Sequence, residues 1–325
     1  MMHIHYLLQV HQHPEQFGRL IRRLAAPFAH FYVHVDLKSD IQPFLRQAEG
    51  VNNVHFFDEE RLEVRWGDIS QVHATLLGVN KLVAEKKEGY AILMSGADYP
   101  IKSNVYIQRF FQVHNGVNFI ACKDAYDVWG HCTVGRLESY NFHPFTKRRH
   151  TFGVSTLFGK NFWTLMNVRN TLIMLLLGKF GAVRKALANT RTFPSYLQAF
   201  GGSQWWALPM SSLYMIHDFM QAHPDYLAYH EHTHVPDEIF FHSMIGSLVK
   251  AEKIKPSITY VDWRRKGVPL PVVFQAEDLE ILANCACLFA RKLAPESSGE
   301  LMDLIDQKLL HREEQMQPLE KLPIH

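Results

Sequence analysis

Residues 90–100 have the sequence YAILMSGADYP (Tyr90–Pro100), an apolar run that ends abruptly in small and polar residues. The run Tyr90–Met94 predicts a strand buried on both faces. Gly96 would let the backbone approach a ligand closely, and the Tyr99–Pro100 pair favours an extended exit from the turn. A tight strand-to-loop turn without a ligand explains the same residues, so the segment indicates a fold before it indicates any chemistry.

The same strand signal recurs through the first half of the chain and alternates with helical periodicity. Strands are predicted at Ile4–Val10, Phe31–Val35, Val54–Phe57, Tyr90–Met94 and Val117–Ile120, and helices at Pro14–Leu24 and Ser70–Val83. This alternation predicts an α/β fold in which a mostly parallel central sheet is flanked by helices. Ligands bind such sheets at the carboxyl ends of the strands, where Asp36 and the Ser95–Asp98 turn fall. The first strand is not followed by G-x-G-x-x-G, and no P-loop motif occurs, which argues against both nucleotide-binding types.

The second half of the chain is less regular. Helices are predicted near Ser211–Ala222, at Asp237–Leu248 and at Gly299–Gln317, and a strand at Ile258–Val261. We therefore expect one domain over residues 1–295, with a basic helical insertion at about 145–195. Residues 296–325 are expected to form a C-terminal amphipathic helix or tail.

The composition is that of an ordinary globular protein, with 47% hydrophobic residues, 20% charged residues and a formal net charge of +2. The cysteines Cys122, Cys132, Cys285 and Cys287 do not have zinc-ribbon spacing. The N-terminus shows neither the basic region nor the cleavage site of a signal peptide, and no run of about 18 apolar residues predicts a membrane span. These features favour a reducing, cytoplasmic location.

Charge is spread unevenly along the chain. Between Ser139 and His217 there is no Asp or Glu, but nine Lys and Arg residues occur: Lys147, Arg148, Arg149, Lys160, Arg169, Lys179, Arg184, Lys185 and Arg191. This basic segment also contains Phe162-Trp163 and the apolar run Leu172–Leu177. It predicts contact with an anionic acceptor or with a membrane surface. The alternative is a basic helix that packs on the domain with its charges in water.

A second chemical signal is Pro236-Asp237-Glu238-Ile239, where a carboxylate pair stands at the start of an apolar run. Proline and acidic residues are typical of a helix N-terminus, so simple capping explains the pair. Glu238, however, would face the apolar side, where a lone carboxylate is costly. Burial near a cleft raises the pKa of a carboxylate toward the working value of a general base.

Two further blocks carry candidate binding residues, Gly202-Ser203-Gln204-Trp205-Trp206 and Phe289-Ala290-Arg291-Lys292. The adjacent tryptophans either stack on a sugar or belong to the core. The cations of the second block follow an apolar element and are candidates for phosphate binding. His230, His232 and His234 would share one face of a strand, which would suit a metal site, although surface histidines explain the cluster better.

Four blocks occur in the chain in the order Leu93–Pro100, Gly202–Trp206, Pro236–Ile239 and Phe289–Lys292. In this order they resemble the family 14 glycosyltransferases, the group of the core-2/I-branching β-1,6-N-acetylglucosaminyltransferases and the peptide xylosyltransferases. The resemblance covers roughly residues 3–294 and implies a GT-A-like nucleotide-sugar transferase fold. It also implies a metal-independent reaction, because the chain, like the family, lacks an Asp-x-Asp motif. Lysine and arginine side chains would then neutralise the pyrophosphate that leaves.

The resemblance implies a role for each matching residue. Glu238 would be the catalytic base, which takes the proton of an acceptor hydroxyl. Donor- or phosphate-binding roles are implied for Lys292, Arg291, Arg264, Arg265, Asp36, Lys38, Ser95, Gly96 and Asp98. Acceptor-binding roles are implied for Trp205, Trp206, Glu138, Arg136 and Asp237. Where the family has its second phosphate cation this chain has Pro269, so Arg264, Arg265 or Lys266 would supply that charge, unless these three form a solvated turn.

We therefore expect an inverting glycosyltransferase that moves N-acetylglucosamine from a UDP-sugar to a hydroxyl of a glycan or lipid-linked acceptor. It would use neither a metal nor another cofactor and would not bind nucleic acid. UDP-xylose is the alternative donor. A metal-dependent hydrolase built on the histidines and a catalytically dead carbohydrate-binding protein are the rival functions. Animal members have a membrane anchor and disulfides, and the sequence signals of both are lacking here. We therefore expect a bare catalytic domain of bacterial type, in the cytoplasm, with peripheral contact at the inner membrane face.

Overall fold

The computed structural model describes residues 2–145, 151–311 and 322. Within them the chain forms the strands β1 (Ile4–Val10), β2 (Ala29–Val35), β3 (Val54–Phe56), β4 (Tyr90–Ser95), β5 (Asp98–Pro100), β6 (Asn118–Ile120), β7 (Lys123–Asp124), β8 (Ser139–Phe142), β9 (Phe152–Ser155), β10 (Phe200–Gly201), β11 (Trp206–Pro209), β12 (Ile254–Lys255), β13 (Thr259–Val261) and β14 (Phe289–Arg291).

The described helices are α1 (Pro14–Leu24), α2 (Gln42–Ala48), α3 (Ser70–Ala84), α4 (Asn104–Val113), α5 (Ala125–Trp129), α6 (Cys132–Leu137), α7 (Leu165–Leu176), α8 (Phe180–Ala188), α9 (Met210–Ala222), α10 (Pro224–His230), α11 (Phe240–Leu248), α12 (Leu279–Asn284) and α13 (Pro295–Lys308). Short 3₁₀ helices occur at Pro236–Glu238, Ala251–Lys253 and Ala276–Asp278. The bounds of β1 and α1 are those predicted from the sequence.

A seven-stranded sheet forms the centre of the fold, in the order β12-β6-β11-β4-β1-β2-β3. The pairings β1–β2, β1–β4, β2–β3 and β12–β6 are parallel, whereas β11 runs antiparallel to both β4 and β6. Helices cover both faces of this sheet. The predicted α/β architecture with a mostly parallel central sheet is therefore confirmed.

The core has two layers because successive residues of a strand point to opposite faces. In β1, Tyr6 and Leu8 pack into one layer and Leu7 into the other. Leu301 and Ile305 of α13 belong to the first layer. The helix α13 is thus an integral part of the domain core, although the sequence analysis set residues 296–325 apart.

The strands β1, β2 and β4 are parallel and therefore end at the same edge of the sheet. Because β11 is antiparallel to β4, it begins at that edge. A second, three-stranded sheet has the order β13-β14-β5 and aligns Val261, Arg291 and Asp98 in register. The first sheet thus brings Asp36 and Ser95 to one edge, and the second places Asp98 beside Arg291.

The predicted basic insertion contains β9, α7 and α8, and β9 pairs with β8. It has a small core of its own, formed by Tyr140, Val154, Met174, Val183 and Ala186. Lys147, Arg148 and Arg149 lie outside the described residues. In the part of the chain that the structure describes, no helix combines the length and hydropathy that a membrane span requires.

Candidate active site

The Asp237–Glu238 pair lies in a 3₁₀ turn and not in the first turn of a regular helix, which starts only at Phe240. Val235 has a left-handed backbone with φ of 54°, and its N–H donates to the carbonyl of Gly67 over 2.9 Å. The turn buries Asp237, which is 6% exposed, and leaves 33% of the Glu238 side chain exposed. Asp237 is therefore the more deeply buried member of the pair, and Glu238, which was expected to face the apolar side, is only partly buried.

An arginine from a distant part of the chain holds Glu238. Arg136 on α6 places its Nη1 2.9 Å from Glu238 Oε2. The Cζ of this guanidinium lies 4.1 Å from the ring centroid of Trp129, at the end of α5, in a cation–π contact. Desolvation raises the pKa of Glu238, and the charge of Arg136 opposes that shift. Arg136 thus favours the ionised form of Glu238, which is the form that a base requires.

Asp237 has a different environment from its neighbour. Within the described residues, its Oδ1 is buried and has no hydrogen-bond partner. Burial and, after it, the charge of Glu238 raise the pKa of Asp237 to about 8. Burial thus favours the protonated form of Asp237, and Glu238, with Arg136 beside it, is the better placed of the two carboxyls to accept a proton.

Gly201 and Gly202 bring the chain close to this carboxylate pair. The N–H of Gly202 donates to the Glu238 carbonyl over 3.1 Å. A Cβ on Gly202 would lie 1.7 Å from the Ala121 carbonyl oxygen, and a Cβ on Gly201 would lie 2.1 Å from the Trp129 ring. Only glycine permits such close approach. Gly201 therefore leaves room for the Trp129 ring, which Arg136 contacts.

The two adjacent tryptophans differ in their surroundings. Trp206 begins β11, is 1% exposed and packs against Phe241 in the core. A buried ring cannot stack on a sugar, so the predicted acceptor contact of Trp206 is corrected to a core role. Trp205, which is also buried, lies under the guanidinium of Arg291, whose Cζ is 4.2 Å from the ring centroid. Trp205 thus supports Arg291 and does not present a face to an acceptor.

Asp98 and Ser95 hold the same arginine from the other side. Arg291 Nη1 lies 3.3 Å from Asp98 Oδ1 and also donates to Ser95 Oγ. Burial raises the pKa of Asp98, and Arg291 opposes that shift. Since Asp98 is buried, the prediction that it contacts the donor is corrected. Its role is to orient Arg291. Gly96 packs against Val10, where a Cβ would lie 3.3 Å from Val10 Cγ1.

The remaining predicted donor-side residues gather around His11, directly after β1. Asp36 Oδ2 lies 3.4 Å from Lys38 Nζ. Partial desolvation lowers the pKa of His11, the charge of Asp36 opposes this shift, and the charges of Lys292 and Lys38 add to it. The structure therefore brings Asp36, Lys38 and Lys292 together at the carboxyl ends of β1 and β2. The sequence analysis missed His11, although its place at a strand end is the same signal that identified Asp36.

Arg264 and Arg265 follow β13, whose last residue pairs with Arg291. The charge of Arg265 is already matched by two carboxylates. Its Nη2 lies 2.7 Å from Asp278 Oδ1, and its Nε lies 3.3 Å from Asp262 Oδ2. These two carboxylates orient the Arg265 guanidinium next to the end of β13.

Glu138 and the histidines complete the set of predicted residues. Glu138 follows α6, two residues after Arg136, and its Oε1 lies 2.8 Å from Lys160 Nζ. His230 ends α10 and is completely buried, so the prediction of a strand with three histidines on one face is wrong. Among residues 2–145, 151–311 and 322, no group of three or more His, Cys, Asp and Glu side chains is arranged to hold a metal ion.

The sequence of the chain is similar to a family model and to several known enzymes. The family model for the core-2/I-branching enzyme matches residues 4–281. The chain is 24% identical to human xylosyltransferase 2 over 93% of this chain and 33% of that protein. It is 21% identical to a xylosyltransferase of Ciona intestinalis over 94% of this chain and 34% of that protein. It is 33% identical to the human beta-1,3-galactosyl-O-glycosyl-glycoprotein beta-1,6-N-acetylglucosaminyltransferase over 35% of this chain and 28% of that protein.

The chain thus spans about a third of the length of the xylosyltransferases that it matches, 33% and 34%. The family model covers most of the chain, including the β4 turn and the Asp237–Glu238 turn. The resemblance drawn from the four sequence blocks is confirmed, and the mostly parallel sheet flanked by helices agrees with a GT-A-like fold. The chain belongs to the core-2/I-branching enzyme family of glycosyltransferases.

Proposed function

We propose that this chain catalyses an inverting, single-displacement transfer of a sugar from a UDP-sugar to a hydroxyl of a glycan or glycolipid. Glu238 is the base. The acceptor oxygen attacks the anomeric carbon, Glu238 takes its proton, and the bond from that carbon to the UDP oxygen breaks. The observation that carries this proposal is the Arg136–Glu238 contact, 2.9 Å long, in which an arginine favours the ionised form of a partly exposed carboxylate next to the buried Asp237.

The leaving UDP requires compensation of its developing charge, and preorganised cations supply it. Lys292 and Arg291 occupy consecutive positions at the end of β14, and Arg291 is oriented by Asp98 and Trp205. Arg264 and Arg265 follow the neighbouring strand β13, and one of them is the proposed third cation. In this proposal the protein's own lysine and arginine side chains stabilise the diphosphate, and no metal or other cofactor takes part.

Two donor sugars are proposed, each supported by a relative. The match to a beta-1,6-N-acetylglucosaminyltransferase has the higher identity, 33%, and supports UDP-N-acetylglucosamine. The matches to xylosyltransferases extend over 93% and 94% of the chain and support UDP-xylose. The reaction scheme, base and cations are the same for both donors.

The test is a donor screen on the full chain. Calorimetric titration of UDP, UDP-N-acetylglucosamine and UDP-xylose in the presence of EDTA measures binding, and UDP release with galactoside and peptide acceptors measures transfer. We expect one UDP-sugar to bind in EDTA and to release UDP, and Glu238→Gln to bind that donor but not to release UDP. Binding without turnover in the wild-type chain would favour a catalytically dead carbohydrate-binding protein. Absence of binding to any UDP compound, with and without added metal, would refute the donor site.

A further inference from the structure

The basic insertion exposes a large apolar surface. Trp163, just before α7, is 80% exposed, and Leu165 and Leu176 at the two ends of α7 are 89% and 87% exposed. Side chains of this type rarely remain in water as a contiguous group unless they contact a partner. We call this set the α7 surface; it consists of Trp163, Leu165, Met166, Leu172, Leu176 and Phe180.

Unlike an ordinary surface helix, α7 buries two asparagines and exposes several large apolar side chains. Its buried residues are Asn167, Asn170 and Met174. Asn167 Oδ1 accepts from the Ser155 N–H over 2.7 Å, and Asn170 Nδ2 donates to the Gly153 carbonyl over 3.0 Å. The inward contacts of α7 thus include two polar side chains besides Met174, while Leu165, Met166, Leu172 and Leu176 are exposed. Among the described residues these four side chains belong to none of the buried clusters, which indicates that they contact a partner.

The charges of the chain segment that carries the α7 surface have one sign. From Ser139 to His217 the chain contains no Asp or Glu, and exposed cations occur within and beside α7 at Arg169, Lys179 and Arg184. Exposed tryptophan and leucine flanked by Lys and Arg are typical of helices that lie in the interface of an anionic bilayer. In a two-fold dimer formed through this surface, the same cations would face one another, which disfavours a second copy as the partner.

We propose that the α7 surface docks on an anionic lipid bilayer, with α7 lying in the plane of the membrane. The apolar side chains enter the boundary between headgroups and acyl chains to a depth of about 5–10 Å. Arg169, Lys179 and Arg184 remain at the level of the anionic headgroups. This docking is independent of the donor sugar and of the identity of the base.

The test is co-flotation of the full chain with vesicles of phosphatidylcholine alone or of equal parts of phosphatidylcholine and phosphatidylglycerol. We expect binding to the anionic vesicles that weakens as salt is raised. Leu172→Glu with Leu176→Glu removes apolar contact, and Arg169→Glu with Arg184→Glu removes attraction. Each pair should lower the partition coefficient by about tenfold or more. The matched control is Val105→Glu with Arg109→Glu, because both residues are exposed on α4, away from the insertion.

A second readout follows Trp163. Its fluorescence should shift to the blue on addition of anionic vesicles, and Trp163→Phe should lose that shift while the other five tryptophans remain. The proposal is overturned if wild type and the Leu172/Leu176 pair float equally. It is also overturned if neither floats and sedimentation shows that the wild type is a dimer and the Leu172/Leu176 pair a monomer, which would assign the α7 surface to self-association.

Discussion

Arg136 Nη1 lies 2.9 Å from Glu238 Oε2, although the two residues are 102 positions apart in the chain. Because the charge of Arg136 lowers a pKa that desolvation raises, replacing it with a neutral side chain should raise the pKa of Glu238. For Arg136→Met we therefore expect the acid limb of kcat/KM against pH to move upward by about one pH unit. The measurement is the rate of UDP release across the pH range.

Two variants separate charge from shape in this prediction. Arg136→Lys keeps the charge and should move the acid limb less than Arg136→Met. Arg109→Met, on the exposed side of α4, should leave the profile unchanged. A uniform loss of rate at every pH in Arg136→Met would mean that Arg136 only holds the turn and does not tune Glu238.

Glu238→Gln tests the base itself. The amide keeps the size of the side chain but cannot accept the acceptor proton, so kcat should fall by about 10²–10⁴-fold. Binding of UDP should be unchanged, because Glu238 is not among the proposed phosphate ligands. Glu231→Gln is the control, since Glu231 is exposed just after α10. Retention of near wild-type kcat in Glu238→Gln would exclude Glu238 as the base.

Much of the fold follows from the sequence because its signals are local. Apolar runs and helical periodicity gave β1 and α1 their bounds, and the parallel-sheet rule placed Asp36 and Ser95 at one edge. The deeper burial of Asp237 relative to Glu238 does not follow from any local pattern. It depends on the left-handed backbone of Val235 and on the 3₁₀ turn that comes after it.

The supports of the site were also beyond sequence reasoning. Trp129 carries no motif, and it reaches Arg136 only because Gly201 leaves room for its ring. His230 was misjudged because alternating histidines suit a strand, whereas in the structure it ends α10 and packs against Tyr226, four residues earlier. Tertiary contacts decided each of these cases.

Asp237→Asn should change how stability depends on pH. The folded chain holds a proton on Asp237 up to about pH 8, whereas the unfolded chain releases it near the ordinary pKa of a carboxyl. The folded state therefore binds more protons between about pH 4 and about pH 8, and stability falls as pH rises through that window. The variant lacks this fall in stability. Its free energy of unfolding, relative to that of the wild type, should therefore be higher by of the order of a few kcal/mol at pH 8 and little changed at pH 4.

Urea unfolding at a series of pH values measures that difference. Asp218→Asn, an exposed position on α9, is the control and should follow the wild-type curve. If Asp237→Asn and wild type lose stability in parallel between pH 4 and pH 8, Asp237 is not the protonated member of the pair.

Gly201→Ala tests the close packing of the Trp129 ring against Gly201. The added Cβ would lie 2.1 Å from the ring, so the ring must shift, and we expect a loss of stability of about 1–3 kcal/mol. Displacing Trp129 should also weaken the hold on Arg136 and lower the rate of UDP release. Gly299→Ala is the matched control, because nothing lies within 4 Å of a Cβ there and its place inside α13 should make alanine neutral or stabilising. Equal stability of the two variants would contradict the close packing at Gly201.

Lys292→Met tests the source of charge for the leaving group. Lys292 follows Arg291, the last residue of β14. Its charge lowers the pKa of His11, which the charge of Asp36 raises. Removing its charge should weaken the binding of UDP by about tenfold, with little effect on the binding of uridine, because uridine lacks the diphosphate. Calorimetry with both ligands measures this, and Lys308→Met on the exposed side of α13 is the control. If UDP and uridine lose affinity equally, Lys292 supports the nucleoside pocket, and the diphosphate must be neutralised by Arg291 and an arginine that follows β13.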